Sequence, residues 1–303
     1  MPYADRNLNY GNLYMISVNQ YCRQEFGEKL YKISLSGGFT CPNRDGSLGT
    51  GGCIFCSQGG SGDFAESASL SIEEQIEKAK KRVADKFHGK RYIAYFQAFT
   101  NTYAPVETLR KLYIPVAQRD DIAVISIATR PDCLGDDVLL FLEELNKLKP
   151  LWVELGLQTT NRKSAEYIRR GYDLSVYDRA VEKLNSIGIH CITHVILGLP
   201  NETEEDMLGT VRHVVNSGCK GIKLQLLHVL KNTDLAADYA EGKFRTMEMD
   251  EYLHILKKCV SILPEDMVVH RLTGDGAKKD LIAPLWTGDK KRVLNAIKRE
   301  IDI

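Results

Sequence analysis

Six apolar runs of strand length recur along the chain: YKISLS (31–36), YIAYFQAF (92–99), IAVISIA (122–128), LWVELGL (151–157), HCITHVIL (190–197) and GIKLQLLH (221–228). Most follow one another at about thirty residues, the length of one strand–helix unit. The segments between them read as helices. SIEEQIEKAKKRVADKF starts at a Ser71 cap with acidic residues in its first turn, and GDDVLLFLEELNKL follows the third run. VYDRAVEKLNSIG and ETEEDMLGTVRHVVNSG each end on a glycine, Gly188 and Gly218, the residue best able to take the left-handed turn that closes a helix. Strand then helix, repeated, predicts an α/β fold built on a parallel sheet with right-handed crossovers. Further on, MDEYLHILKKCVSIL (249–263) predicts a helix, MVVHRL (267–272) a short strand and DKKRVLNAIKREI (289–301) a terminal helix, with TGDGAKKD (273–280) as a glycine-broken loop. Tyr3, Tyr10, Tyr14, Tyr21 and Phe26 are expected to pack onto the barrel. No linker or low-complexity tract interrupts the pattern, so one domain is expected over residues 1–303, with a core over about 31–230 and a C-terminal extension over about 231–303.

Fully buried parallel strands should be almost wholly apolar. These are not. With side chains alternating between faces, one face of successive runs carries Gln97; Ser126 and, just beyond, Arg130; Glu154 and Gln158; His190 and His194; Lys223 and Gln225. Any one of these could be a satisfied core hydrogen bond. Five strands with the same feature predict a polar pocket at the C-terminal ends of the strands, where (β/α) barrels carry their active sites.

The loop after the first run, GGFTCPNRDGSLGTGGCIFCSQGG, holds Cys41, Cys53 and Cys56. Three soft sulfur donors point to a metal site with one position left open, either an iron–sulfur cluster or a catalytic metal. A structural zinc is the alternative, but such sites are closed by a fourth ligand, and no cysteine or histidine follows at finger spacing. The other cysteines, Cys22, Cys133, Cys191, Cys219 and Cys259, read as small buried hydrophobes. The loop lies at the same end of the sheet as the polar pocket.

Composition narrows the setting. The 303 residues are 44% hydrophobic and 26% charged, an ordinary globular balance. No apolar leader and no run long enough to cross a bilayer are apparent, which predicts a cytoplasmic protein without a membrane partner and with reduced thiols. The formal net charge of zero argues against broad nonspecific nucleic-acid binding. Local basic runs (Lys78, Lys80, Lys81, Arg82, Lys86, Lys90 and Arg91; Lys290, Lys291 and Arg292) read first as solvated helix faces.

The cysteine loop, with aromatic Phe55 before its last cysteine, resembles that of the radical S-adenosylmethionine (SAM) superfamily, here with eleven residues in the first gap instead of the usual three. That spacing, together with FQAFTNTYAP (96–105), SIATRPDCL (126–134), VELGLQTTN (153–161) and HVILGLPNET (194–203), is similar to the branch near the elongator catalytic subunit. GFTCPNRDG (38–46) and RLTGDGAKKDLIAPLW (271–286) resemble the YtqA/YhcC group within it. The resemblance implies a partial (β/α)6 TIM-like barrel, a [4Fe–4S] cluster held by Cys41, Cys53 and Cys56, and SAM on the fourth iron. It implies SAM contacts from Thr100, Asn101, Glu154, Gln158, Arg170 and His194, with Lys223, Gln225 and Arg271 as candidate substrate contacts. The implied activity is reductive cleavage of SAM to a hydrogen-abstracting 5′-deoxyadenosyl radical, fed by a one-electron reductant such as flavodoxin or ferredoxin. The implied substrate is tRNA, at a wobble uridine, converting carboxymethylaminomethyl-uridine to aminomethyl-uridine. Two other readings stay open: a radical SAM enzyme acting on a small metabolite or a protein, and a zinc-stapled RNA-binding protein without catalysis.

Overall fold

The computed structural model describes residues 15–60, 62–274, 276 and 278–301. The expected packing of Tyr3, Tyr10 and Tyr14 lies outside these residues. The six apolar runs form β2 (Tyr31–Leu35), β3 (Tyr92–Phe96), β4 (Ile122–Thr129), β5 (Leu151–Gln158), β6 (His190–Leu197) and β7 (Gly221–Leu226). A two-residue β1 (Ile16–Ser17) and the short β9 (Val268–Arg271) complete an eight-stranded sheet in the order β1-β9-β7-β6-β5-β4-β3-β2, with every pair parallel. The expected strand at 267–272 is therefore present and docks beside β7.

The sheet is curled. In a flat sheet, at about 4.8 Å per strand, β3 and β7 would lie roughly 19 Å apart. Yet Lys223 Nζ on β7 donates to the Tyr95 hydroxyl on β3 at 3.2 Å, and Lys32 Nζ on β2 reaches Glu154 Oε1 on β5 at 3.0 Å. Only a partial barrel brings those side chains together, which makes the fold an α/β half-barrel of the TIM-like kind.

Helices pack the outer face: α2 (Ile72–Val83), α3 (Val106–Ala117), α4 (Asp136–Leu148), α6 (Leu174–Ser186), α7 (Glu204–Asn216) and α9 (Met249–Ile262), with α10 (Lys290–Ile301) against α9. Ile76, Tyr113, Phe141, Tyr177, Val211 and Leu256 meet Leu35, Phe96, Ile127, Leu155, Val195 and Leu224 in one apolar layer. Ser71 caps α2 in a reciprocal capping box with Glu74, and Gly188 and Gly218 take φ of 70° and 79°. The helix α3 is additional to the sequence reading. Pro115 interrupts its pattern; its missing N–H costs the bond to the Lys111 carbonyl, and the helix ends two residues later, at Ala117. Helix α1 (Val18–Phe26), also additional, closes the N-terminal end of the barrel and packs Tyr21 against Trp152, with ring centroids 6.0 Å apart and the planes inclined at 58°. Past β7, β8 (Val229–Leu230) and β10 (Leu281–Ala283) pair antiparallel, and the short α8 (Asp234–Ala240) follows β8. Among the described residues no helix is long and apolar enough to cross a membrane.

Candidate active site

The cysteine loop leaves β2 at the C-terminal edge of the sheet and is tied down at several points. The Cys41 carbonyl accepts from the backbone N–H groups of Arg44 and Asp45, and the Cys53 carbonyl from that of Cys56. Ile54 bonds to the Ile168 carbonyl beyond α5 (Arg162–Tyr167), and the Leu235 N–H of α8 bonds back to Ile54. Arg44 folds over the loop to donate to the carbonyls of Cys56 (3.2 Å) and Ser57 (2.6 Å). That fold needs glycine at position 52. Its φ is +75°, and a Cβ there would stand 2.9 Å from Arg44 Nε. Asn43 Nδ2 donates to Cys53 Sγ at 3.4 Å and to the Arg169 carbonyl at 2.7 Å. Burial, reinforced by the neighbouring Cys56, pushes the Cys53 thiol up to about 12; a buried thiol of this kind ionises only against a positive partner.

All three cysteines line one cavity of about 180 Å³ at the C-terminal ends of the strands. Thr100 after β3, Glu154, Gln158 and Arg170 line it too, as do His194, Gln225 and Arg271. Ten of the twelve cluster, SAM and substrate residues implied by the resemblance thus line this one cavity. The other two stand behind it. Asn101 is fully buried, and its Nδ2 donates to the carbonyls of Phe96, Ala98 and Ala128 at 3.0–3.1 Å, fixing the loop that presents Thr100. Lys223 is 2% exposed and turns its ammonium to Glu154 and Tyr95.

Glu154 is the hub of the inner face. Its Oε1 accepts from Lys32 Nζ (3.0 Å) and Ser126 Oγ (2.7 Å), and its Oε2 from Lys223 and from His194 Nε2 (2.7 Å). Burial opposes its charge, but Lys223, Lys32 and His194 together hold the carboxyl well below its usual range. Burial draws His194 down to about 4, helped by Lys223 and opposed by Glu154, so the ring is neutral at pH 7. With Nε2–H directed at Glu154, its Nδ1 is an acceptor, 3.3 Å from Gln225 Nε2. Burial likewise pulls Lys223 well below an ordinary lysine, opposed by Glu154 and aided by Lys32 and Arg271.

At the opposite wall, Arg170 donates to the carbonyls of Thr159 (2.7 Å) and Tyr172 (3.1 Å), and its guanidinium lies over the Tyr172 ring. Arg130 covers the same ring and grips Asp132 with two hydrogen bonds. Gln158 sits at a β-bulge with φ +64°, which swings its side chain out of the strand's alternation.

His190 departs from the sequence reading. It is the first residue of β6, at the other end of the barrel, and packs against Trp152, Tyr21 and His270 there. Lys32 and Tyr95 were not anticipated. Both are signalled by strand alternation: Lys32 shares a face with Ser34 and Ser36, and Tyr95 with Gln97.

The donor set fits an iron–sulfur cluster. The eight cysteines form no disulfide among the described residues, and three thiols open on one cavity. Among the described residues no three His, Cys, Asp or Glu side chains gather around a single ion position. A cubane does not require that, because each thiolate meets a separate corner.

Comparison with known proteins agrees with this geometry. The family described as the radical SAM superfamily matches residues 41–214, and its C-terminal domain matches residues 219–302. YtqA of Bacillus subtilis is 44% identical over 301 residues, 99% of this chain and 92% of its own. YhcC of Escherichia coli is 37% identical over 264 residues, 87% and 84% of the two chains. More distantly, the tRNA uridine(34) acetyltransferase of Methanocaldococcus jannaschii is 24% identical over 154 residues, 50% of this chain and 28% of that protein. Among solved structures, the archaeal Methanocaldococcus infernus Elp3 with its N-terminus deleted superposes with a TM-score of 0.66 at 14% identity; 89% of this chain covers 63% of that one. The chain belongs to the radical SAM superfamily. It is accordingly a radical SAM enzyme, and a [4Fe–4S] cluster and SAM are the cofactors of its family.

Proposed function

We propose that this enzyme modifies tRNA at a wobble uridine, taking carboxymethylaminomethyl-uridine to aminomethyl-uridine. The observation that carries the site assignment is the convergence of Cys41, Cys53 and Cys56 with Thr100, Gln158, Arg170, His194, Gln225 and Arg271 on one cavity. When bound, the cluster and SAM supply one-electron cleavage of a sulfonium and a hydrogen-abstracting radical. The chain's own residues do the rest. The three cysteines anchor three irons, with Arg44 and Asn43 holding their loop in shape. Thr100, Gln158 and Arg170 take the amino-acid end of SAM, Arg170 offering its guanidinium to a carboxylate. His194 is locked as the Nε2–H tautomer by Glu154, and its Nδ1, released by Gln225 when that amide turns to the substrate, takes a ribose hydroxyl. Asn101 and Glu154 act through the groups they orient, and Lys223 keeps Glu154 ionised behind the wall. Gln225 and Arg271, farthest along the cavity toward β8, meet the substrate.

The tRNA assignment is supported by the partial likeness to a tRNA uridine(34) acetyltransferase and by the Elp3-like fold. The chemistry agrees: taking a hydrogen from the methylene between the amine and the carboxylate gives a stabilised radical, loss of a second electron gives an imine, and water splits it into the aminomethyl group and glyoxylate, SAM taking up the two electrons overall as it becomes methionine and 5′-deoxyadenosine. A base acted on in folded RNA must first leave its stack, and a recessed cavity suits a flipped base. A cytoplasmic one-electron reductant such as flavodoxin or ferredoxin completes the proposal. The test is anaerobic: protein loaded with iron and sulfide, then SAM and dithionite, with 5′-deoxyadenosine read by mass spectrometry. Product that rises on addition of tRNA lacking the final modification, with carboxymethylaminomethyl-uridine consumed, supports the proposal. Product indifferent to tRNA assigns the chemistry to a small metabolite or a protein instead.

A further inference from the structure

The basic segments are of two kinds. On and around α2, most of the positive charge is balanced within the protein. Lys78 and Arg82 both pair with Glu66, Lys80 and Arg119 share Asp121 and Glu77, and Arg91 pairs with Glu28. The second kind sits on the lip of a further cavity of about 170 Å³, which continues the active-site cavity through Phe55, Gln97, Gln158, His194, Gln225 and Arg271. Leu230 of β8 lines it and pairs with Leu281 of β10. The next residue, Lys231, donates its N–H to the Asp280 carbonyl at 2.7 Å and its Nζ to the Lys279 carbonyl at 2.8 Å. Lys231, Lys278 and Lys279 are thereby gathered on one exposed edge. Among the described residues none of the three pairs with a carboxylate, and the sequence of that stretch carries two acidic residues, Asp275 and Asp280. Phe64, on the same cavity, is 46% exposed.

We infer that this lip docks a single-stranded stretch of RNA. Lys231, Lys278 and Lys279 contact backbone phosphates, and Phe64 stacks on an unpaired base beside the one that enters the cavity. The inference rests on the proposed RNA substrate and adds where the strand lies. An acidic peptide would satisfy three ammoniums. It has no use for an exposed phenyl ring beside a pocket walled by Gln97 and Gln225, whose amides match the donors and acceptors of base edges. Aromatic stacking next to a cationic track is how single strands are held without pairing.

The experiment is binding of unfractionated tRNA to the cluster-loaded protein across about 50 to 200 mM salt. The wild type should show a steep log–log salt dependence. The Lys231→Gln/Lys278→Gln/Lys279→Gln variant should bind at least about tenfold more weakly at the low-salt end, with a slope shallower by about 2, at roughly 0.7 per phosphate contact on a single strand. Phe64→Ala should weaken binding about tenfold with the slope unchanged, since a stacked base adds affinity without adding charge. Lys78→Gln/Lys80→Gln, whose ammoniums already pair with carboxylates, should change neither. A salt-dependent wild type with an unaffected lysine variant overturns the docking site and leaves the RNA substrate standing. A wild type without salt-dependent tRNA binding overturns both, and polyglutamate competing as well as tRNA makes the lip a protein-docking edge and overturns the inference.

Discussion

Along β5, Val153 and Leu155 point out into the helix layer, while Trp152 and Glu154 point into the barrel. The same division holds on β7, where Ile222 and Leu224 face the helices and Lys223 and Gln225 face inward. Outward residues are interchangeable in kind, being large, apolar and close-packed. Inward residues form a specific circuit in which one carboxylate is shared by two lysines, a serine and a histidine. The outer face therefore stores stability, and the inner face sets geometry and charge for the cavity above it. Substitutions on the two faces should fail in different ways.

The largest effect is expected inside. Glu154→Leu leaves Lys223 buried without its counter-charge and should destabilise the protein by about 3–5 kcal/mol in urea unfolding. Adding Lys223→Met should recover much of that loss without restoring SAM cleavage. On the outer face Leu155→Ala should cost about 2–5 kcal/mol through its cavity, yet keep the full iron and sulfide content. If Leu155→Ala lost the cluster at unchanged stability, the division between faces would be wrong.

Acid should expose the inner face next. His190 and His194 are both drawn down to about 4 from 6.5, chiefly by burial. An unfolded chain binds protons there that the folded one refuses. Their contribution is intact above about pH 6.5 and lost as the pH falls toward about 4, on the order of 3 kcal/mol for each ring. The urea midpoint should drop across that window, and His190→Asn should flatten the drop. The smallest effect belongs to the outer surface. Ser71→Ala removes the α2 capping box and should cost about 1 kcal/mol in thermal unfolding, with product formation unchanged.

The two faces also differ in how far they can be read from sequence. The six main strands and most of their helices announce themselves because apolar periodicity is local. The pocket is announced by polar residues breaking that periodicity, as at Glu154, His194 and Gln225. Depth and partnership are not local. Glu154 and Lys32 are 122 residues apart in the chain, and nothing near either one shows that the carboxylate is already engaged. His190 looks the same as His194 in sequence, but its place at the start of β6 puts it at the other end of the barrel. The strands β1, β8 and β10 are too short, at two or three residues, to carry a period. Helix α3 is masked by Pro115, whose cost depends on a position within the helix that the sequence does not declare.

The most direct test of the central claim is the metal content and activity of the anaerobically loaded protein, beside a Cys41→Ala/Cys53→Ala/Cys56→Ala variant. The account predicts about four irons and about four sulfides per wild-type chain, with 5′-deoxyadenosine formed from SAM under dithionite. It predicts loss of all three in the variant, which keeps its helical circular dichroism. Zinc in place of iron, or a variant that still holds the cluster, would contradict it.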